Sequence, residues 1–226
     1  MSEQKSSHTI GAELADWVER LSRLYTPVVA DVLDRLGYRD QCLRADIRPL
    51  VEGDTVAGVA RTVLTVAARE AAPKEPYKGE MAAVDALRHG DVMVVSSCDG
   101  SFWGELLSTA ARYRGCRGIV IDGYTRDTRA IKTMGFPVFC RGVYPADSMG
   151  RIDVVAHDVP IVCGGVSVNA HDLVLADDDG VVIIPQAVAE QALAAAEQKV
   201  RGENLVRLKL AEGMTVTEAF RRYGVL

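Results

Sequence analysis

The chain has 226 residues, 48% hydrophobic and 25% charged, the composition of a folded globular protein rather than a disordered one. Its formal charge of −5 leaves no basic surplus to release counterions from nucleic acid, so binding by phosphate neutralisation is not expected. No run of about 18 apolar residues is present, and the start, MSEQKSSHTIGAELADW, lacks the apolar segment of a signal peptide.

The expectation is therefore a cytoplasmic protein with no membrane partner. Cys42, Cys98, Cys116, Cys140 and Cys163 are scattered, odd in number and without a C-x-x-C, which fits buried thiols in a reducing cytosol and not a disulfide frame or zinc site. Cys98, in a loop after a strand, reads the same way in preference to a nucleophile.

In chain order, Leu14, Trp17, Val18, Leu21 and Leu24 share one helical face. Thr26-Pro27 reads as N-cap and first residue of a second helix, closed by Gly37, so residues 12–37 form a helical pair. Val56 to Ala67 is one long strand or two short ones, and AAPKEPYKG is a surface loop. Helices are expected over Glu80–Leu87, Leu106–Tyr113 and Asp127–Met134, with strands at Val92–Val95, in GIVI from Gly118, and at Val138–Cys140. Asp122-Gly123 reads as a turn. This alternation predicts crossover units around a parallel sheet.

Beyond residue 150 short strands dominate. Asp177-Asp178-Asp179-Gly180 lies between two β-branched runs, so it reads as a hairpin turn, and the spacing of a calcium loop is absent. Residues 186–224 are helical, with breaks at Gly202 and Gly213. No repeat or linker interrupts the chain, so one α/β domain, with a core over about 50–185 and helical extensions at both ends, is the economical reading.

Two neighbouring units share a plan of strand, polar glycine-containing loop and helix: VMVVSSCDGSFWGELLSTAARYRG and GIVIDGYTRDTRAIKTMG. Parallel strands joined by right-handed crossovers end on one edge of the sheet, where open α/β folds bind ligands. Adjacent strands would set these ends about 4.8 Å apart, so that Glu105, Arg126 and Asp127 face a common crevice. Gly104 allows close approach, and the free amides of Leu106 and Leu107 in the first helical turn would hold an anion. Arg126 adds a two-pronged grip for a carboxylate. Asp127 and Glu105 supply hard oxygens for magnesium or manganese. Read more blandly, the two acids only stabilise helix starts, with Arg126 as their surface partner.

Twenty residues separate Glu105 from Arg126, with G-x-L-L around the acid and V-x-D-G-x-x-R-D around the arginine. Together with TPVVADVLDRLG, YKGEMAAVDALRHGDVMVV, GFPVFCRG, DLVLADDDGVVIIP and RLKLAEGMTVTEAFRRYG, this resembles the 4-hydroxy-4-methyl-2-oxoglutarate aldolases, whose family also includes the regulator of ribonuclease E activity A.

The resemblance implies a swivelling α/β/α sandwich in trimers or dimers of trimers, with sites near subunit interfaces. It implies a magnesium or manganese ion on Asp127, and the pyruvate end of a small 2-oxo acid bound by Arg126 and the backbone of Gly104, Glu105, Leu106 and Leu107. The implied activity is a lyase reaction: class II aldol cleavage of a C6 methylated or a carboxylated adipate-type 4-hydroxy-2-oxo acid, with oxaloacetate decarboxylation at its side. Glu105 replaces the aspartate usual in the aldolases, whereas the ribonuclease regulators generally lack an acid there. Glu203 is a candidate acid for a neighbouring site.

Arg126 and Glu105 are the expected catalytic pair: Arg126 stabilises charge on the C2 oxygen, and Glu105 moves a proton through water. None of Lys5, Lys74, Lys78, Lys132, Lys199 and Lys209 lies inside an apolar strand, so a Schiff base is not expected. His8, His89, His157 and His171 lack the setting of a phosphate carrier, and no G-x-G-x-x-G follows an early strand.

Overall fold

The computed structural model describes residues 11–224; the polar start, with Lys5 and His8, lies outside them. Helices α1 (Ala12–Leu21) and α2 (Thr26–Arg35) bury Trp17, Val18 and Leu21 from one and Val28, Val29, Val32 and Leu33 from the other. Thr26 is not the cap of α2. Tyr25 holds that position, and the Thr26 amide and hydroxyl both donate to the Asp177 carboxylate, at 2.8 and 2.6 Å.

The next elements are β1 (Arg48–Pro49), β2 (Val56–Ala67), α3 (Lys78–Asp85), β3 (Asp91–Val95), β4 (Ser101–Trp103), α4 (Glu105–Tyr113), β5 (Gly118–Thr125), α5 (Thr128–Met134) and β6 (Val138–Val143). They are followed by β7 (Ile152–His157), β8 (Ile161–Cys163), β9 (Val166–Val168), β10 (Leu173–Asp177), β11 (Gly180–Ile184), α6 (Ala189–Ala211) and α7 (Val216–Tyr223). The main sheet runs β1-β6-β5-β3-β2-β10-β11, with β4 added beside β5 and β7 beside β2. Its centre, β6-β5-β3-β2, is parallel, as the helix–strand alternation predicts. The expected hairpin is present: Asp177 pairs with Gly180 across an Asp178-Asp179 turn.

The sheet curls until it almost closes. Arg48, at one edge, donates to the carbonyls of Asp178 and Asp179 at the other, and Leu43 and Ile183 exchange backbone bonds across the seam with Val181 and Gln41. Side chains alternate across the strands accordingly. Val92, Val94, Val120, Val174 and Ile183 point into a core capped by the β8–β9 hairpin. Met93, Val95, Ile119 and Ile121 point outward against α3, α4 and α5, while Val59, Leu173, Leu175 and Ile184 point outward against α1, α2 and α6. Helices thus flank an α/β core, with helical extensions at both ends.

Three further expectations are corrected. Asp122-Gly123 does not turn, because β5 continues to Thr125. Asp122 is buried there, and Arg44 and Arg141 compensate its charge at 2.7 and 3.3 Å. Gly202 does not break α6, which runs continuously over 23 residues. A helical glycine costs only about 1 kcal/mol against alanine, and the buried Val206 and the ion pairs of Lys199 with Asp31 and Glu203 anchor the helix on either side. Cys42 is exposed, whereas Cys98, Cys116, Cys140 and Cys163 are buried, and all five are free.

Candidate active site

Strands β3 and β5 are hydrogen-bonded neighbours, Val92 to Val95 lying against Gly118 to Ile121. Their following loops stay together because β4, which has no periodicity to announce it, runs parallel to the end of β5. The Arg126 amide donates to the Trp103 carbonyl at 2.9 Å, and the Thr125 hydroxyl donates to the same oxygen at 3.1 Å. Trp103 is fixed in turn by its indole N–H on Ser108 Oγ, at 2.7 Å, and by stacking on Phe136. The starts of α4 and α5 are thereby held side by side.

Asp127 sits at the N-cap of α5 in the left-handed region, φ 56°, a conformation aspartate tolerates better than most residues. Its side chain caps the neighbouring helix instead of its own: Oδ2 accepts from the Glu105 amide at 3.1 Å. Gly104 makes this approach possible, since a Cβ there would stand 2.6 Å from that oxygen. Asp127 therefore does stabilise a helix start, while remaining exposed.

Arg126, Asp127, Gly104, Leu106 and Leu107 share a cavity of about 300 Å³. The Glu105 side chain does not join them, contrary to the common crevice expected from sequence. Its Oε1 accepts the Thr109 hydroxyl at 2.8 Å, one turn along α4, and it lines a second, open cleft with Asp127 and Leu106. That hydrogen bond is exposed, so releasing it costs on the order of 1 kcal/mol.

Sequence reasoning missed the three titratable residues that Arg126 and Asp127 meet in this cavity: Tyr77, Glu80 and Asp147. The surface partner of Arg126 is Asp147, at 3.0 Å, and neither Glu105 nor Asp127. The Tyr77 hydroxyl bonds Asp147 as well. Burial works against ionising the Asp147 carboxyl, but Tyr77 and Arg126 hold it below the usual carboxylate range. Glu80 is buried on α3; burial pushes its carboxyl up to about 7, although Ser148 donates to Oε2 at 3.0 Å. Only YKGE hinted at these groups, and they join the site through tertiary contact from α3 and the loop after β6.

The rival chemistries find no support in the geometry. Lys199 is buried, yet it lies between Asp31 at 2.7 Å and Glu203 at 2.6 Å. Burial opposes its charge, but those bonds hold its ammonium above the ordinary lysine range, the wrong direction for a Schiff base. Burial pushes the Cys98 thiol up to about 12, far from a reactive thiolate. Glu203 bonds Lys199 and Tyr25 of its own chain and lines neither cleft at Asp127. Among the described residues no three His, Cys, Asp or Glu side chains gather as a metal cage. An exposed single carboxylate at a ligand cleft suits magnesium, which is commonly held by one or two carboxylates and completes its shell with water and substrate oxygens.

These features define an α/β protein with a junction of two helix starts, one guanidinium and one hard carboxylate. The RraA-like family profile, described as Aldolase/RraA, matches residues 26–183, and the chain belongs to that family. It is 31% identical over 208 residues, 91% of this chain and 93% of the other, to a Halalkalibacterium halodurans protein named provisionally as a 4-hydroxy-4-methyl-2-oxoglutarate aldolase. The structure of RraAS2 from Streptomyces coelicolor, described as an unusual member of the RNase ES inhibitor RraA family, aligns with TM-score 0.78 and 30% identity over 88% of this chain and 98% of that one. An uncharacterised protein from Pseudomonas syringae pv. tomato aligns with TM-score 0.83 and 26% identity, over 99% and 100% of the two chains.

Proposed function

We propose that the protein is a divalent-metal-dependent (class II) pyruvate aldolase, a lyase cleaving 4-hydroxy-2-oxo acids to pyruvate and a second carbonyl compound. Decarboxylation of oxaloacetate accompanies that activity. The observation carrying this reading is the junction itself: Arg126 and Asp127 open α5 beside the first turn of α4, with the Asp127 carboxylate 3.1 Å from the Glu105 amide. The provisional name of the Halalkalibacterium halodurans relative supports the same reaction class.

In this reading the substrate carboxylate lies on the amides of Leu106 and Leu107, where the helix start carries partial positive charge. Arg126 donates to the C2 oxygen, on which negative charge grows as the C3–C4 bond breaks; a preorganised donor of this kind is worth about 3 kcal/mol. Magnesium or manganese, held by Asp127 and through water by Glu105, would supply Lewis acidity at the same oxygen. Glu105, turned from Thr109, takes the proton of the C4 hydroxyl through an ordered water and returns one to C3. A trimer or dimer of trimers belongs to the proposal.

The test is pyruvate release from oxaloacetate by purified protein. Turnover should require magnesium or manganese and stop with a chelator. Likeness to RraAS2 favours a second reading, a non-enzymatic protein that binds and inhibits an RNA-degrading enzyme. No pyruvate from oxaloacetate or from any 4-hydroxy-2-oxo acid, together with inhibition of such a nuclease, would establish that reading instead.

A further inference from the structure

The cavity beside Arg126 extends from the helix junction to α3, and the chemistry of its far end differs from that of its near end. Among the described residues, Glu80 Oε1 is the only buried carboxylate oxygen without a hydrogen-bond partner. The residue is 5% exposed and lines the cavity. It cannot withdraw. Gly79 packs α3 so closely on β7 that a Cβ would lie 2.6 Å from the Val154 carbonyl, and Oε2 is tied to Ser148. An unmet acceptor in so small a cavity calls for an O–H or N–H from whatever fills it.

Charge narrows the choice. Three acidic side chains line this cavity, Glu80, Asp127 and Asp147, against one cationic side chain, Arg126, and Asp127 is the one that would hold the metal at the near end. Arg126 is already paired with Asp147 and belongs to the C2 end of the substrate. Among the described residues no cationic side chain lines the far end to receive a second carboxylate, which would meet the oxygens of Glu80 and Asp147 at close range in a poorly solvated space. Tyr77 and Ser148 present hydroxyls there, and Phe102 and Leu107 provide apolar wall.

We propose that the substrate is a 4-hydroxy-2-oxo acid whose chain beyond C4 is uncharged and bears hydroxyl groups, the chemistry of a 3-deoxy-2-oxo sugar acid, and that Glu80 selects it by accepting a hydroxyl hydrogen on Oε1. This rests on the aldolase reading above and departs from the dicarboxylic substrates that the sequence resemblance implies. In the cleavage the C3–C4 bond breaks, its electron pair becomes the enolate of pyruvate, the C4 hydroxyl loses its proton and C3 gains one. The second product is then a neutral hydroxyaldehyde. The reaction that supplies such a substrate is dehydration of a sugar acid, which removes the C3 hydroxyl and leaves a 2-oxo group.

The experiment measures kcat/KM for metal-dependent pyruvate release from three compounds. They are oxaloacetate, 4-hydroxy-4-methyl-2-oxoglutarate as the dicarboxylate, and 4,5,6-trihydroxy-2-oxohexanoate as the neutral-tailed acid. The protein should prefer the trihydroxy acid to the dicarboxylate at least tenfold, and Glu80→Leu, which removes the acceptor oxygens, should shrink that ratio at least tenfold. Preference for the dicarboxylate, or an unchanged ratio in folded Glu80→Leu, overturns the proposal while turnover of oxaloacetate leaves the aldolase reading intact. If all three compounds are inert, the aldolase reading fails and the selectivity falls with it.

Discussion

At the scale of single residues, Asp127 has two separable duties. It offers an oxygen to the Glu105 amide and a negative charge to a cation. Asn at this position keeps the acceptor and loses the charge. Asp127→Asn should therefore leave the melting temperature within a degree or two and abolish metal-dependent turnover, whereas Asp127→Ala should also lose about 1 kcal/mol of capping stability. Thermal melts paired with rates separate the two effects.

Glu80 gives a pH signature. Its folded pKa, near 7, lies above the ordinary value of 4.5, so between those values the folded state holds a proton that the unfolded state has lost. Stability contributed by the protonated carboxyl is complete below pH 4.5 and lost as pH rises through 7. Glu80→Gln should accordingly raise the melting temperature by a few degrees at pH 8 and by much less at pH 4.5. Equal shifts at both pH values would contradict the assigned burial effect.

At the scale of elements, the decisive contact is between α4 and α5, and Gly104 sets its distance. Gly104→Ala places a Cβ 2.6 Å from Asp127 Oδ2, so Asp127 must move. The expected outcome is at least a tenfold loss of kcat/KM with secondary structure retained by circular dichroism. The elements bearing this junction were legible in the sequence because continuous apolar strands, stop glycines and helix-start acids all follow local rules. Strand β4 was not: three residues with no alternation are a strand only because Thr125 and Tyr124 lie beside them. For the same reason Asp122-Gly123 misled. The dipeptide has turn chemistry, but two arginines pay for its buried carboxylate inside β5.

At the scale of the whole molecule, the curled sheet and its two helical flanks bury three apolar cores, and Asp127, the proposed metal ligand, stands exposed outside them. Removing divalent cations should thus silence turnover and leave the melting temperature almost unchanged, and loss of the fold on chelation would show a structural ion instead. The site was legible only as far as sequence neighbours reach. Arg126, Asp127 and Gly104 were found from their loops, but Tyr77 and Glu80 come from the start of α3, and Asp147 from the loop after β6, which is bridged to Ser101 of β4. The orientation of Glu105 toward Thr109 is likewise a rotamer choice that no spacing encodes.

The central claim is that one guanidinium, held at the meeting of two helix starts, stabilises the oxygen of a forming enolpyruvate. It is tested most directly by the rate of magnesium-dependent pyruvate release from oxaloacetate, measured side by side for the natural protein and Arg126→Ala. The account predicts a fall in kcat/KM of about a hundredfold or more, the equivalent of roughly 3 kcal/mol, with an unaltered thermal melt. Turnover by folded Arg126→Ala within a few-fold of the natural protein would contradict it.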